Sequence, residues 1–264
     1  MKLLIDADFI VYKACAAAET EVDFGDDVIL VTSNFSDAYR AVSIELSKLK
    51  DEFGSFSPMI LFFSDSKNFR KKIYPDYKGH RNRKKPCGYK RVIRTLQKEG
   101  EHEVRILPNL EADDAMGIYA TEHQDCIIVS PDKDMRQIPG KLYDFKSTQN
   151  ITAEEGYQWH LIQTLAGDST DGYSGVPGIG VKRAEVLFNK KGYHWNTVVE
   201  AFAEKGLTEE DALTNARLAK ILTIDDYDTG KQEVKLWNPL EPINYGRTGL
   251  QTKTNQGQDN ESRP

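Results

Sequence analysis

Cys126-Ile127-Ile128-Val129-Ser130-Pro131-Asp132-Lys133-Asp134 is a short apolar run that stops at a proline and delivers two carboxylates just beyond it. The run is too short for a helix and is bounded by turn residues, so it reads as a buried strand over 126–130. Three further runs behave alike. Residues 2–5 lead to Asp6, 59–63 to Asp65, and 104–107 to Glu111, Asp113 and Asp114. Helical patterns separate them. Tyr39, Val42, Leu46, Leu49 and Phe53 recur three or four apart behind Ser36, read as an N-cap, and stop at Gly54; 88–99 and 113–121 show similar spacing. Strand and helix in alternation predict an α/β core with a parallel sheet over 1–150. In such sheets ligands gather outside the carboxyl ends of the strands, where these acids fall.

After about residue 150 the strand signal fades, and 157–165, 181–188, 195–203 and 209–224 read as helices, so 151–237 is expected to be a helical region. Residues 238–264 are rich in Asn, Gln, Gly, Thr and Pro with few aliphatics, and a disordered tail is expected there because little apolar burial could offset its ordering entropy.

The chain has 264 residues, 39% hydrophobic and 29% charged, enough for a sizeable core, and no apolar run of membrane-spanning length. No membrane partner is expected. Cys15, Cys87 and Cys126 lie far apart without a C-x-x-C pair, which argues against a disulfide framework and a thiolate zinc site. With too short an apolar start for a signal peptide, a cytoplasmic location is expected.

The net charge of −6 conceals polarity: 67–94 holds twelve Lys or Arg against one acid, Asp76. Such a block fits a solvated face, yet the interleaved Phe69, Tyr74, Tyr77 and Tyr89 suit a surface that meets a phosphate backbone and stacks bases. The glycine-rich turn 172–180, containing Gly175, Gly178 and Gly180, runs into Val181-Lys182-Arg183-Ala184. It reads as a tight interhelical turn or as a clamp on DNA backbone, with amides, Lys182 and Arg183 around a phosphate.

Asp6, Asp65, Glu111, Asp113, Asp114, Asp132, Asp134, Asp168 and Asp171 form the candidate acidic set. Singly, each fits a blander role: Asp132 and Asp134 in a solvated turn, Glu111 to Asp114 as first-turn acids, Asp8 as a helix cap beside the site. Acids after successive strands need more than that. So many carboxylates cannot share a crevice unneutralised, and oxygen donors without a His or Cys cluster select Mg2+ or Mn2+. Two such ions can activate water against a phosphodiester.

The runs LLIDAD (3–8), LFFSDS (61–66), LEADDA (110–115), IVSPDKD (128–134) and GDSTDGYSGVPGIGVKRA (167–184) resemble the 5′-nuclease (flap endonuclease) superfamily. More narrowly, the chain is similar to the 5′ to 3′ exonucleases of short-tailed T-odd-type phages, from residue 1 to about 237. The resemblance implies a PIN-like parallel-sheet core with a C-terminal helix-three-turn-helix. It implies a 5′ to 3′ exonuclease with flap endonuclease and RNA-primer-removing activity, acting on DNA during replication or recombination. It places Asp6, Asp65, Glu111 and Asp113 at a first metal site and Asp132, Asp134, Asp168 and Asp171 at a second, with Asp114 an additional acid. The cofactors implied are two Mg2+, replaceable by Mn2+, and K+ at the glycine turn. Lys78 and Arg70 would neutralise charge on the scissile phosphate. Lys67, Arg81, Arg83, Lys84 and Lys85 would belong to an arch on the DNA, although the segment after Lys78 is short for a helical arch and Pro86 interrupts it. Two rivals stay open at this point: a ribonuclease of PIN or RNase H type, and a non-catalytic DNA-junction scaffold.

Overall fold

The computed structural model describes residues 1–54, 58–81, 84–99, 101–123 and 125–239. Arg83, and the expected tail beyond its first two residues, lie outside them. The central strand β1 (Lys2–Asp6) is buried on both faces: Leu3 and Ile5 enter one core, Leu4 the other. A hairpin follows, β2 (Glu19–Asp23) with β3 (Ile29–Ser33). The sheet resumes with β4 (Met59–Phe62), β5 (Glu103–Arg105), β6 (Cys126–Val129), β7 (Gly140–Tyr143) and β8 (Thr148–Ile151). β4 and β6 divide their side chains between the same two cores as β1 does. Burial on both faces forces an apolar residue at every position, so these strands show runs rather than alternation.

The sheet order is β5-β4-β1-β6-β7-β8, parallel except for the antiparallel edge strand β8. Register pairs Asp6 with Phe62 and Ile5 with Val129, so the carboxyl ends of the three central strands lie level. α1 (Ala7–Ala17), α2 (Phe35–Phe53) and α4 (Tyr89–Glu99) cover one face; α5 (Ala112–Glu122) and a 3-10 turn (Lys133–Gln137) cover the other. The short α3 (Arg70–Ile73) leads off the β4 side.

Several boundaries differ from expectation. Asn34, not Ser36, caps α2, accepting the Ser36 amide at 3.0 Å. Asp6, not Asp8, caps α1. The β2–β3 hairpin was not expected, because strands exposed on both faces show neither a buried run nor clean alternation.

The helical region holds α6 (Ala153–Ala166), α7 (Val181–Lys191), α8 (Trp195–Ala203) and α9 (Glu209–Ala219) around Leu161, Leu165, Phe188, Val198 and Phe202. Two-residue ladders, β9 (Gly167–Asp168) with β10 (Tyr173–Ser174) and β11 (Tyr227–Asp228) with β12 (Glu233–Val234), brace its turns. Thr152 and Glu155 form a reciprocal capping box that starts α6. The region is keyed to the sheet by buried polar contacts. Gln137 donates to Gln163 Oε1 at 2.7 Å and to the Ala219 carbonyl at 2.6 Å, and its own oxygen accepts the Ile221 amide at 3.0 Å.

His160, buried between α6 and α9, places Nε2 2.8 Å from the Ala216 carbonyl and stacks edge-on to Trp237. Burial, then the nearby Lys220 charge, lowers its pKa to about 4. The folded protein thus favours neutral imidazole, so the stabilisation is complete above the unfolded pKa of about 6.5 and is lost as pH falls toward 4. This one group should cost about 2 kcal/mol between pH 7 and pH 5. Urea titrations of wild type and His160→Gln at both pH values check this: the pH-dependent loss should be smaller in the variant by that amount, and equal losses would refute it.

Candidate active site

The carboxyl ends of β1 and β6, the N-terminus of α5 and the segment after α6 enclose a crevice of about 590 Å3, lined by Asp6, Asp8, Glu111, Asp113, Asp132, Asp134, Asp168 and Asp171 with Lys78, Arg81, Lys85 and Lys133. Seven of the nine expected acids are therefore brought together. Asp6 accepts the Phe9 amide at 3.2 Å and the Ser130 hydroxyl at 2.9 Å. Burial nevertheless pushes its pKa up to about 6. Asp113, on the first turn of α5, accepts no hydrogen bond among the described residues, and burial together with Asp6, Asp132 and Glu111 drives its carboxyl well above the usual range. Asp132 caps the 3-10 turn by accepting the Asp134 amide at 2.8 Å. Asp134 accepts Gln163 Nε2 at 2.5 Å, and burial and Asp132 raise its pKa to about 6.

The other side of the crevice is neutralised from within. Glu111 accepts from Lys78 Nζ and, at 3.0 Å, from the buried Tyr77 hydroxyl. Burial acts to raise Glu111, but Lys78 and Arg70 prevail and hold it at about 2. Tyr77 also reaches Asp171 at 2.7 Å, and Arg81 binds Asp171 at 2.6 Å. Lys78 itself adopts φ of +55°, its amide donating to the Asp171 carbonyl at 2.7 Å. That uncommon conformation fixes where its ammonium emerges.

Two expected ligands are elsewhere. Asp65 does not line the crevice: it folds into the loop after β4, accepting the amides of Asn109 at 2.8 Å and Ser66 at 2.6 Å, which hold its pKa down. Asp114 is fully buried, both oxygens engaged by Arg70 at 2.7 and 2.8 Å. Arg70 also departs from its expected role. It lines the crevice, yet its guanidinium is 1% exposed and is held by Asp114 and the Leu218 and Lys220 carbonyls, so it is engaged within the protein rather than presented to a phosphate.

The glycines also separate. Gly178, at φ +82°, needs its glycine for the turn, and its carbonyl accepts Arg183 Nη1 at 2.6 Å. Gly180 is extended and open. Gly175 needs its glycine for packing, since a Cβ there would fall 2.2 Å from the Leu165 carbonyl on α6. Lys182 and Arg183 are exposed on the first turn of α7, and Lys67 and Lys84 are exposed on loops. Among the described residues 67–94 form no helical arch; α4 lies on the sheet through Tyr89, Val92 and Leu96.

Asp8, Ser130, Gln163 and Lys133 stand at the crevice without having been assigned to it from the sequence, and Tyr77, expected on a base-stacking surface, is buried with Phe69 and Tyr89 and turns its hydroxyl to Glu111 and Asp171. Asp8, taken for a cap, lines the crevice and accepts from the Ser64 amide at 2.9 Å and from Tyr89. The others carry no local signature, apart from Lys133 lying between two acids.

Could this crevice hold metal ions? Among the described residues no three His, Cys, Asp or Glu side chains already converge on one point. The donors are nonetheless all oxygen, and Asp113 carries a half-buried carboxylate that accepts no hydrogen bond among the described residues and faces like charges, a condition that a divalent cation relieves. The residues fit such an ion.

A family model described as the 5′-3′ exonuclease N-terminal resolvase-like domain matches residues 1–159. The chain is 30% identical over 279 residues to an exonuclease of Escherichia phage T7, covering 90% of this chain and 93% of that one. An exodeoxyribonuclease of Enterobacteria phage T3 is also 30% identical, covering 90% and 92%. A bacteriophage T5 protein co-crystallised with metal ions shares the fold with a TM-score of 0.61 at 15% identity, covering 83% of this chain and 88% of that one. Together with the acids at the strand ends, the match to the domain and to the phage nucleases shows that this chain belongs to the 5′-3′ exonuclease family.

Proposed function

We propose that the crevice hydrolyses phosphodiester bonds of DNA from 5′ ends and at 5′-flap or RNA-primer junctions, leaving a 5′-phosphate. The observation that carries the reading is the unpaired group Asp6, Asp113 and Asp132 at the ends of β1, α5 and β6, beside Lys78. The named activities of the relatives agree with it: exodeoxyribonuclease for the phage T3 protein and flap endonuclease for a Shewanella denitrificans protein 32% identical over 151 residues. Metal ions occur in a T5 5′-exonuclease of this fold, solved with zinc. Here the donors favour two Mg2+ or Mn2+, held by Asp6, Asp113 and Glu111 on one side and Asp134, Asp168 and Asp171 on the other, with Asp132, which faces Asp6, Asp113 and Asp134, between them. Such ions, when bound, acidify water and stabilise charge on the leaving oxygen.

The chain's own residues do the rest. Asp6 and Asp134 are anchored by Ser130 and Gln163, so they stay oriented toward the crevice. Lys78, released from Glu111, would place its ammonium on a phosphate oxygen. Arg81 and Lys85 at the rim, with Lys67, Arg83 and Lys84 on the same basic stretch, would follow the backbone of the bound strand, and 151–237 would grip the duplex through the amides of 178–183, Lys182 and Arg183. K+ at the glycine turn belongs to the same reading.

Activity on a 5′-labelled duplex should vanish in EDTA and return with Mg2+ or Mn2+. A gel comparing duplex, nicked and flapped substrates reads this directly. Undiminished cleavage in EDTA would sink the metal-dependent mechanism.

A further inference from the structure

The cations divide the crevice's carboxylates into three groups. Lys78 accompanies Glu111 and Asp171, with Arg81 on Asp171 as well. Lys133 spans Asp134 and Asp168, its Nζ 3.3 Å from an oxygen of the first and 3.1 Å from an oxygen of the second. Asp6, Asp8, Asp113 and Asp132 take part in no ion pair among the described residues, and of these Asp8 is held by the Ser64 amide and the Tyr89 hydroxyl.

We propose that Lys133 is a built-in counter-ion standing in the second cation position, so that two divalent ions load in order: the first among Asp6, Asp113 and Asp132, the second only as Lys133 leaves Asp134 and Asp168. This rests on the metal-dependent reading above.

Three observations support it. First, the carboxylates that Lys133 bridges are held independently of it. Asp134 is fixed by Gln163 at 2.5 Å, and Asp168 accepts the Thr170 amide at 2.7 Å and the Asp171 amide at 3.3 Å. Both would therefore keep their places when the ammonium departs. Second, Lys133 is 54% exposed on a flexible four-carbon stem, so it can swing into water at little cost. Lys78, by contrast, is 19% exposed and shares its partners with Tyr77. Third, the bridge answers a need of the ion-free protein: without a cation, Asp134 and Asp168 would add to the repulsion that Asp6, Asp113 and Asp132 already exert. A tethered monovalent cation suits that task because it competes locally at high effective concentration yet yields to a divalent one.

Mn2+ binding to the full chain without DNA, counted by loss of the free-ion paramagnetic resonance signal, tests the order. Wild type should take up one ion tightly and a second more weakly. In Lys133→Met the second should tighten about tenfold, equivalent to about 1.4 kcal/mol, with the first unchanged. The ion-free variant should also melt several degrees lower and recover with Mn2+. Lys133→Arg, which keeps the charge, should resemble wild type. So should Lys48→Met, which removes an exposed charge on α2. An unchanged second site in Lys133→Met would overturn the proposal. So would a weakened one, since Lys133 would then be organising the ligands rather than competing with the ion. Wild type that binds no Mn2+ would bring down the metal-dependent reading itself, a separate and distinguishable failure.

Discussion

Asp113→Asn should lower the single-turnover cleavage rate by on the order of 10^2 to 10^3-fold or more, while duplex affinity stays the same or tightens. The side chain keeps its shape, so geometry is preserved and only the negative charge is lost. Asp113 accepts no hydrogen bond among the described residues and faces Asp6, Asp132 and Glu111, which, with burial, make its ionised form costly. Removing that charge should therefore raise the melting temperature of the ion-free protein. Loss of rate with gain of stability is the mark of a carboxylate kept for function at the expense of folding. Ala cannot serve as the replacement, because it would add a cavity to the change of charge. Single-turnover kinetics, filter binding and a melting curve on one preparation decide the matter. Wild-type cleavage by Asp113→Asn would move the reactive centre elsewhere, and a lowered melting temperature would make the carboxylate a structural one.

Why Asp113 could be read from the chain while Asp114 could not is a matter of helix geometry. LEADDA places the two acids side by side, but successive residues of a helix point about 100° apart. One reaches the crevice and the other turns inward to Arg70. Nothing in the hexapeptide says which, because the deciding partner lies 44 residues away. Asp65 escaped for a similar reason. The chain leaves β4 three residues earlier and bends, so the carboxylate meets loop amides rather than the strand-end crevice that Asp6 reaches directly. The sheet itself was legible because β1, β4 and β6 are buried on both faces, and that condition writes itself into three to five consecutive apolar residues. The β2–β3 hairpin meets no such condition. Tyr77, Ser130 and Gln163 act by contacts made only when distant elements assemble, 94 residues apart for Tyr77 and Asp171. Lys133 alone had a visible cue, a lysine between two acids, and there the acids were read as ligands while the lysine between them was assigned no role.

Arg70→Met should destabilise the protein by about 3 to 5 kcal/mol, because it strands the Asp114 carboxylate in the interior. The basic stretch invites a different expectation, a cation meeting the scissile phosphate, and the two roles separate cleanly. Arg70 holds Asp114 with two parallel hydrogen bonds and the carbonyls of Leu218 and Lys220 at 2.9 and 2.6 Å, so it ties α5, with Glu111 as its N-cap and Asp113 in its first turn, to the end of α9. If this tie is its contribution, the loss appears in the urea midpoint. The double variant Arg70→Met/Asp114→Leu should then regain much of it, since two apolar groups replace a buried pair at small net cost. Lys78→Ala gives the opposite pattern. Its ammonium reaches into the crevice, so its removal should slow single-turnover cleavage well beyond its effect on stability. An Arg70→Met protein that folds as firmly as wild type yet cleaves as slowly as Lys78→Ala would put the guanidinium back on the phosphate. The buried pair would then have to open during turnover, at a cost the enzyme could recover only from the substrate it binds.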